Sequence, residues 1–303
     1  MENPGYTKPL YILPFDHRST FAQKMFNKNS LEDLTPEEHQ LIIDYKKIIF
    51  EGFKKSLELG VPKDYAAILV DEEFGEEILK EARQSGFVTI LTTEKSGQEE
   101  FDFQYGNDFA EHIEKYNPTF AKVLIKYNPD DPEDLKKRQQ KKLKLISDFC
   151  NVKAYKFLLE VLVIATKEQM ESVGESKEDY DRLVRPGLTV EVIKEFQAAG
   201  VEVDVWKLEG FNSVEEYRDI VSAAREDGRD SVSLVVLGRG EGEEKVDEWL
   251  KTGSEVSGVI GFAVGRTVFW QSIADFKSGT KTREEAIETI GQNFYKFYKI
   301  FTS

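Results

Sequence analysis

The chain has 303 residues, 40% hydrophobic and 32% charged, the balance of a soluble globular protein rather than a disordered or fibrous one. Its formal net charge of -15 leaves no broad basic face, which argues against nucleic acid or an anionic membrane as partner but still allows one local basic pocket for a phosphorylated small molecule. The single Cys150 cannot form an internal disulfide, and neither a signal-like start nor an 18-residue apolar span is visible, so a cytoplasmic protein is expected.

In chain order, eight short apolar runs rich in β-branched residues read as strands. They are LYILPFD from Leu10, YAAILVD from Tyr65, VTILTT from Val88, FAKVLIKY from Phe120, KFLLEVLV from Lys156, VDVWKLEG from Val203, VSLVVLG from Val232 and VIGFAVG from Val259. Amphipathic polar stretches separate them, from PEEHQLIIDYKKIIFEGFKKSLELG to a terminal REEAIETIGQNFYKFYKIF, and each suits a helix. Stops at Gly60, Gly86 and Gly200 fall where helices should end. Eight near-continuous apolar strands alternating with helices predict a single (β/α)8 TIM barrel over residues 1–303. A doubly wound open sheet is the alternative, and it would want a Gly-rich turn after its first strand, which FDHRST is not. Two connections are long, Ser19–Thr35 and Ile164–Gly187. Both follow strand C-termini and are read as loops over the site.

Charges inside apolar strands need a reason. Alternation puts Val205, Lys207 and Glu209 on one face and bulky Trp206 and Leu208 on the other, which turns Lys207 into the barrel. The same parity aligns Lys156, Leu158 and Glu160, then Lys122 with Lys126, and Asp16 with Ile12. A buried ion-pair network would explain these residues; so would chemistry. An interior lysine loses hydration and sits among other cations, which frees its amine for attack on a carbonyl, with Glu160 to move protons. LGRGEGEE and AVGRTVFW each end a strand in Gly-Arg, at the seventh and eighth strands, where barrels hold phosphates. Gly238, Arg239, Gly240, Gly265 and Arg266 are therefore the expected phosphate ligands. The mouth of the first strand supplies Asp16, His17 and Arg18. With only three histidines, His17, His39 and His112, no zinc cluster and no cofactor are expected, and Cys150 receives no role.

Taken together, LYILPFDHRSTF, DFQYGNDFAEHIEKYNPTFAKVLIKYNP, KFLLEVLV, DVWKLEG, VVLGRG and GFAVGRTVFW resemble the 6-phospho-5-dehydro-2-deoxy-D-gluconate aldolase domain of myo-inositol catabolism, from about Leu10 to Phe301. In many bacteria that domain lies behind a ribokinase-type kinase; none precedes it here, so a kinase would be a separate protein. The layout is more distantly similar to class I tagatose-bisphosphate aldolases and their sulfo-sugar relatives. The resemblance implies Lys207 as the Schiff-base lysine, Glu160 as its acid and base, Lys122 as the strand-four lysine, and Gly265 with Arg266 at the phosphate. Asp16-His17-Arg18 stands where the relatives have Asp-Gln-Arg, so the middle residue departs. Arg239 departs too, since the relatives carry small residues after strand seven. The implied reaction is metal-independent cleavage of a phosphorylated keto acid to dihydroxyacetone phosphate and malonate semialdehyde. Asp16 or Glu160 would move the key proton, and Arg18, His17, Lys126 and Glu209 would bind substrate. The alternatives are a class I aldolase for another phosphosugar, tagatose bisphosphate or a sulfo-sugar phosphate, and a non-catalytic phosphosugar-binding barrel. The expected partner is the small phosphosugar alone, without membrane or nucleic acid, with homo-oligomerisation left open.

Overall fold

The computed structural model describes residues 3–303, and in it eight parallel strands close on themselves in sequence order. They are β1 (Leu10–Pro14), β2 (Ala66–Val70), β3 (Val88–Thr92), β4 (Phe120–Lys126), β5 (Lys156–Leu162), β6 (Val205–Glu209), β7 (Ser233–Leu237) and β8 (Val259–Ala263). Every expected strand forms. The open-sheet alternative falls with the pairing of β1 on β8, Leu10 to Gly261 and Ile12 to Ala263. Eight helices, one after each strand, coat the barrel: Pro36–Leu59, Glu72–Gln84, Phe109–Tyr116, Glu133–Lys153, Arg185–Ala198, Val214–Ala224, Glu243–Ser254 and Arg283–Phe301. The protein is a (β/α)8 barrel.

Local chemistry sets the helix limits. Thr35 caps the first long helix by accepting from the Glu38 N–H, Pro36 follows at its first position, and Gly60 ends it in the left-handed conformation. Between strands and helices lie further short elements. Ser19–Phe26 forms a helix inside the first long connection, and Arg266–Lys277, which the apolar pattern of VFW concealed, forms one directly after β8.

Side-chain alternation divides the core in two. Trp206 and Leu208 face the helix layer, while Leu10, Ile12, Ala67, Leu69, Ile90, Phe120, Leu158, Val205, Val235 and Ala263 pack inside the barrel. Tyr6 closes the lower end, its ring edge-on to Phe120 at 5.0 Å, and the adjacent Gly5 N–H donates to Asp204 at 2.7 Å. The chain leaves this apolar floor upward, so charged residues further along each strand meet above it.

Closure depends on one close approach. A Cβ on Gly261 would lie 1.9 Å from the Leu10 carbonyl oxygen. Gly261→Ala is therefore expected to destabilise the fold by roughly 2–3 kcal/mol, the usual cost of overpacking. The measurement is the urea midpoint at constant m; a midpoint equal to the parent's would show that β1 and β8 part without penalty.

Candidate active site

Strand register assembles the site. Glu160 and Lys207 are direct partners across β5 and β6, while Lys122 pairs with Thr92 of β3 and with Leu158 of β5. Lys122 thus stands two residues lower than Glu160 and reaches up, so its long side chain ends among carboxylates. Its Nζ lies 2.9 Å from Asp16 Oδ2, 2.7 Å from Glu94 Oε1 and 3.0 Å from Glu160 Oε2. Lys207 Nζ lies 2.6 Å from the same Glu160 oxygen. Lys122 is 1% exposed and Lys207 4%, so both amines are withdrawn from bulk water.

The electrostatics of the cluster centre on Lys122. Burial alone would lower the Lys122 pKa, but Asp16, Glu160 and Glu94 outweigh it and hold it well above the usual lysine range. That balance favours the charged form of Lys122. Burial likewise pushes the Asp16 and Glu160 carboxyls up, and Lys122 and Lys207 overcome it and keep both below their ordinary values. The crowd of cations expected around Lys207 is offset: its nearest charged partner is the Glu160 carboxylate. Proton transfer along that contact would leave a neutral amine beside a neutral acid, without stranding a charge.

These side chains line one cavity of about 270 Å³, which holds Asp16, Lys122, Glu160 and Lys207 at its base. Gly238, Arg239, Gly240, Gly265 and Arg266 border it on the β7 and β8 side. There Arg266 Nη2 donates to the Arg239 carbonyl at 2.7 Å, and a Cβ on Gly240 would meet the Arg266 guanidinium at 2.5 Å. Arg239 adopts a left-handed backbone with φ of 48°, and its Nη1 lies 2.6 Å from Glu209 Oε1 and 3.5 Å from Asp181. Glu209 is accordingly placed behind Arg239 and does not line the cavity; burial, working against Arg185 and Arg239, raises its carboxyl above the ordinary range. Gly265 has a packing reason of its own, since a Cβ there would lie 2.2 Å from the Pro14 carbonyl oxygen.

His17, Arg18 and Lys126 also border the cavity. Arg18 Nη2 donates to the Glu94 carbonyl at 2.6 Å and Nη1 to Gln104 at 3.1 Å, which ties β1 to the segment after β3. Lys126 sits at the rim, paired with Glu99 at 2.7 Å. The Ile164–Gly187 connection does not border this cavity, whereas Ser19 and Thr20 of the first long connection do. A third connection, from Thr93 to Asp108 after β3, contributes Glu94 to Gln98 and was not anticipated. Glu94 itself was legible: Ile90, Thr92 and Glu94 share one parity. Cys150 is buried, and burial raises its thiol pKa.

The fold and site define a (β/α)8 barrel whose mouth holds a lysine and carboxylate cluster. Residues 3–303 match the DUF2090 family, whose description is "uncharacterized protein conserved in bacteria", and the chain belongs to that family. No curated protein matches it. Among solved structures the barrel is similar to Cgl0159 from Corynebacterium glutamicum, at 12% identity and a TM-score of 0.57, over 98% of this chain and 88% of that one. It is also similar to the YdjI aldolase from Escherichia coli K12, at 12% identity and a TM-score of 0.54, over 85% of this chain and 88% of that one. At such identities the likeness is one of fold. Among the described residues no helix is long and apolar enough to cross a membrane.

Two outcomes follow from these electrostatics. Lys122→Met strands Asp16, Glu94 and Glu160 without their shared counter-ion and is expected to cost about 3–5 kcal/mol in denaturant unfolding; a parental midpoint would show that the cluster needs no cation. Burial pulls the His17 imidazole from 6.5 down to about 4, with Arg266, Lys207 and Lys46 adding to the effect and Asp16 opposing it. Between those values the unfolded chain binds a proton that the folded chain refuses, so stability is whole above pH 6.5 and lost as pH falls toward 4. The melting temperature of His17→Asn should fall less than the parent's across that window.

Proposed function

We propose that this chain is a class I aldolase, a carbon–carbon lyase working through a Schiff base on Lys207, with the single barrel as its catalytic unit in the cytoplasm. The observation that carries the reading is the buried contact of 2.6 Å between Lys207 Nζ and Glu160 Oε2 at the base of a cavity. Glu160 accepts the Lys207 proton, the free amine adds to the substrate ketone, and Glu160 returns a proton to the carbinolamine oxygen as water leaves. The resulting iminium draws the electron pair of the adjacent carbon–carbon bond while a carboxylate of the cavity takes the proton of the β-hydroxyl. The aldehyde departs, the enamine is protonated, and hydrolysis frees the ketone product and Lys207.

The substrate that the sequence resemblance implies is 6-phospho-5-dehydro-2-deoxy-D-gluconate, cleaved to dihydroxyacetone phosphate and malonate semialdehyde. The β7 and β8 side of the cavity supports a phosphate there: Arg266 and the glycines of Gly238–Gly240 border it, and the helix Arg266–Lys277 begins at it with no side-chain cap and no acidic residue in its first turn. Arg239 serves that end by fixing the loop, since its guanidinium is engaged by Glu209. The YdjI aldolase shares this architecture, which is consistent with an aldolase on the same scaffold.

Borohydride reduction in the presence of dihydroxyacetone phosphate, followed by peptide mass mapping, is expected to leave a stable adduct on Lys207, and Lys207→Ala to abolish both adduct and cleavage. A folded protein that binds the ligand without labelling any lysine would remove the Schiff base. Activity is expected to survive EDTA; loss restored by zinc would overturn the mechanism. Faster cleavage of tagatose bisphosphate than of the keto-acid phosphate would replace the substrate and keep the chemistry.

A further inference from the structure

Glu94 is the carboxylate of the cavity that neither the sequence motifs nor the proposed amine chemistry employs. It stands two residues beyond Thr92 on the inward parity of β3, is 6% exposed, and borders the same cavity as Lys207 and Glu160. One oxygen is taken: Glu94 Oε1 accepts from Lys122 at 2.7 Å and from the Thr92 hydroxyl at 2.7 Å. The other, Oε2, has no hydrogen-bond partner among the described residues. The backbone at Glu94 is held on both flanks, since Arg18 donates to the Glu94 carbonyl and the Thr93 N–H donates to the Lys122 carbonyl at 3.0 Å. A buried carboxylate oxygen without a donor is costly unless a water or a ligand supplies one, and a substrate hydroxyl is such a donor.

We propose that Glu94 is a catalytic residue that receives the proton of the substrate's reacting hydroxyl. This rests on the Schiff-base reading above. In the step, the O–H bond of the β-hydroxyl breaks as its proton passes to Glu94 Oε2, and the oxygen's electrons form the new aldehyde C=O. The carbon–carbon bond breaks, and its pair moves through the C=N bond to neutralise the iminium nitrogen on Lys207. The enamine remains on the lysine, and once the aldehyde has left Glu94 passes its proton to solvent water that enters the cavity. The other carboxylates are engaged otherwise: Glu160 Oε2 meets both Lys207 and Lys122, and Asp16 Oδ2 meets Lys122.

The variant Glu94→Gln keeps an oxygen for Lys122 and Thr92 but cannot take a proton. With its fold checked by circular dichroism, borohydride and dihydroxyacetone phosphate are expected to label Lys207 as in the parent. Cleavage of whichever compound the parent cleaves, the keto-acid phosphate or tagatose bisphosphate, should fall 10²- to 10⁴-fold in kcat. The acidic limb of its kcat–pH profile should flatten, and Glu94→Asp should restore that limb, which a merely structural loss would not do. Parental cleavage by a labelled Glu94→Gln would overturn the assignment and leave the Schiff base standing. Loss of labelling together with cleavage would assign Glu94 to the amine instead. A parent that does not label Lys207 removes the Schiff base and this proposal with it.

Discussion

One ammonium holds the mouth of this barrel together. Asp16, Glu94 and Glu160 approach the Lys122 Nζ to between 2.7 and 3.0 Å from the ends of three different strands, in a place nearly closed to water. At an effective dielectric of about 20, two like charges 4 Å apart cost about 4 kcal/mol. Without Lys122, Glu160 would keep Lys207 as partner but Asp16 and Glu94 would lose their counter-ion, a sizeable part of the roughly 5–15 kcal/mol by which a domain is stable. With Lys122 at their centre, the three carboxylates share one counter-ion. The β3 segment depends on the same contact, because Glu94 is drawn to Lys122 by its side chain and to Arg18 by its backbone.

Register then makes the two lysines different. Lys122, a layer below Glu160, faces three carboxylates and keeps its proton; Lys207, level with Glu160, faces one. Moving a proton off Lys122 would leave three acids to share it. Moving one from Lys207 to Glu160 converts an ion pair into a neutral pair, which a buried site tolerates more readily than a lone charge. The number of carboxylate neighbours, set by a two-residue stagger between strands, is what differs between the two lysines.

Much of this was legible because a strand's period of two carries over from sequence to space without loss. Parity alone put Lys207, Glu160 and Lys122 inside, and the structure places them on one cavity. What parity does not carry is the path of the chain past the strand ends. EKSGQEEFDFQYGND has no periodicity to betray that it folds back, Glu94 to Phe103 in an isolated bridge, so the third loop over the site went unread. Glu94 was within reach, one alternation past VTILTT, but lay outside the apolar run that defined the strand. Gly-Arg at the end of β7 signalled a turn and not its hand. The left-handed backbone of Arg239 sends that side chain to Glu209, and Glu209, inward by parity, is consumed by the pairing.

The same pairing organises the opposite end of the cavity from β3. Glu209 holds the Arg239 guanidinium, the Arg239 carbonyl holds Arg266, and Gly240 leaves the space that the Arg266 guanidinium fills. Arg266 is thereby stationed at the cavity wall by a chain of contacts that begins on β6, two residues beyond Lys207. The Arg266 guanidinium and the Lys207 amine are thereby fixed relative to one another through a single strand. On the proposed reading, a ligand that meets both, in about 270 Å³, is compact and carries its anion at a set distance from its reacting carbon. On that reading, placement of that anion positions the carbon over Lys207, with Glu94 in the wall of the same cavity.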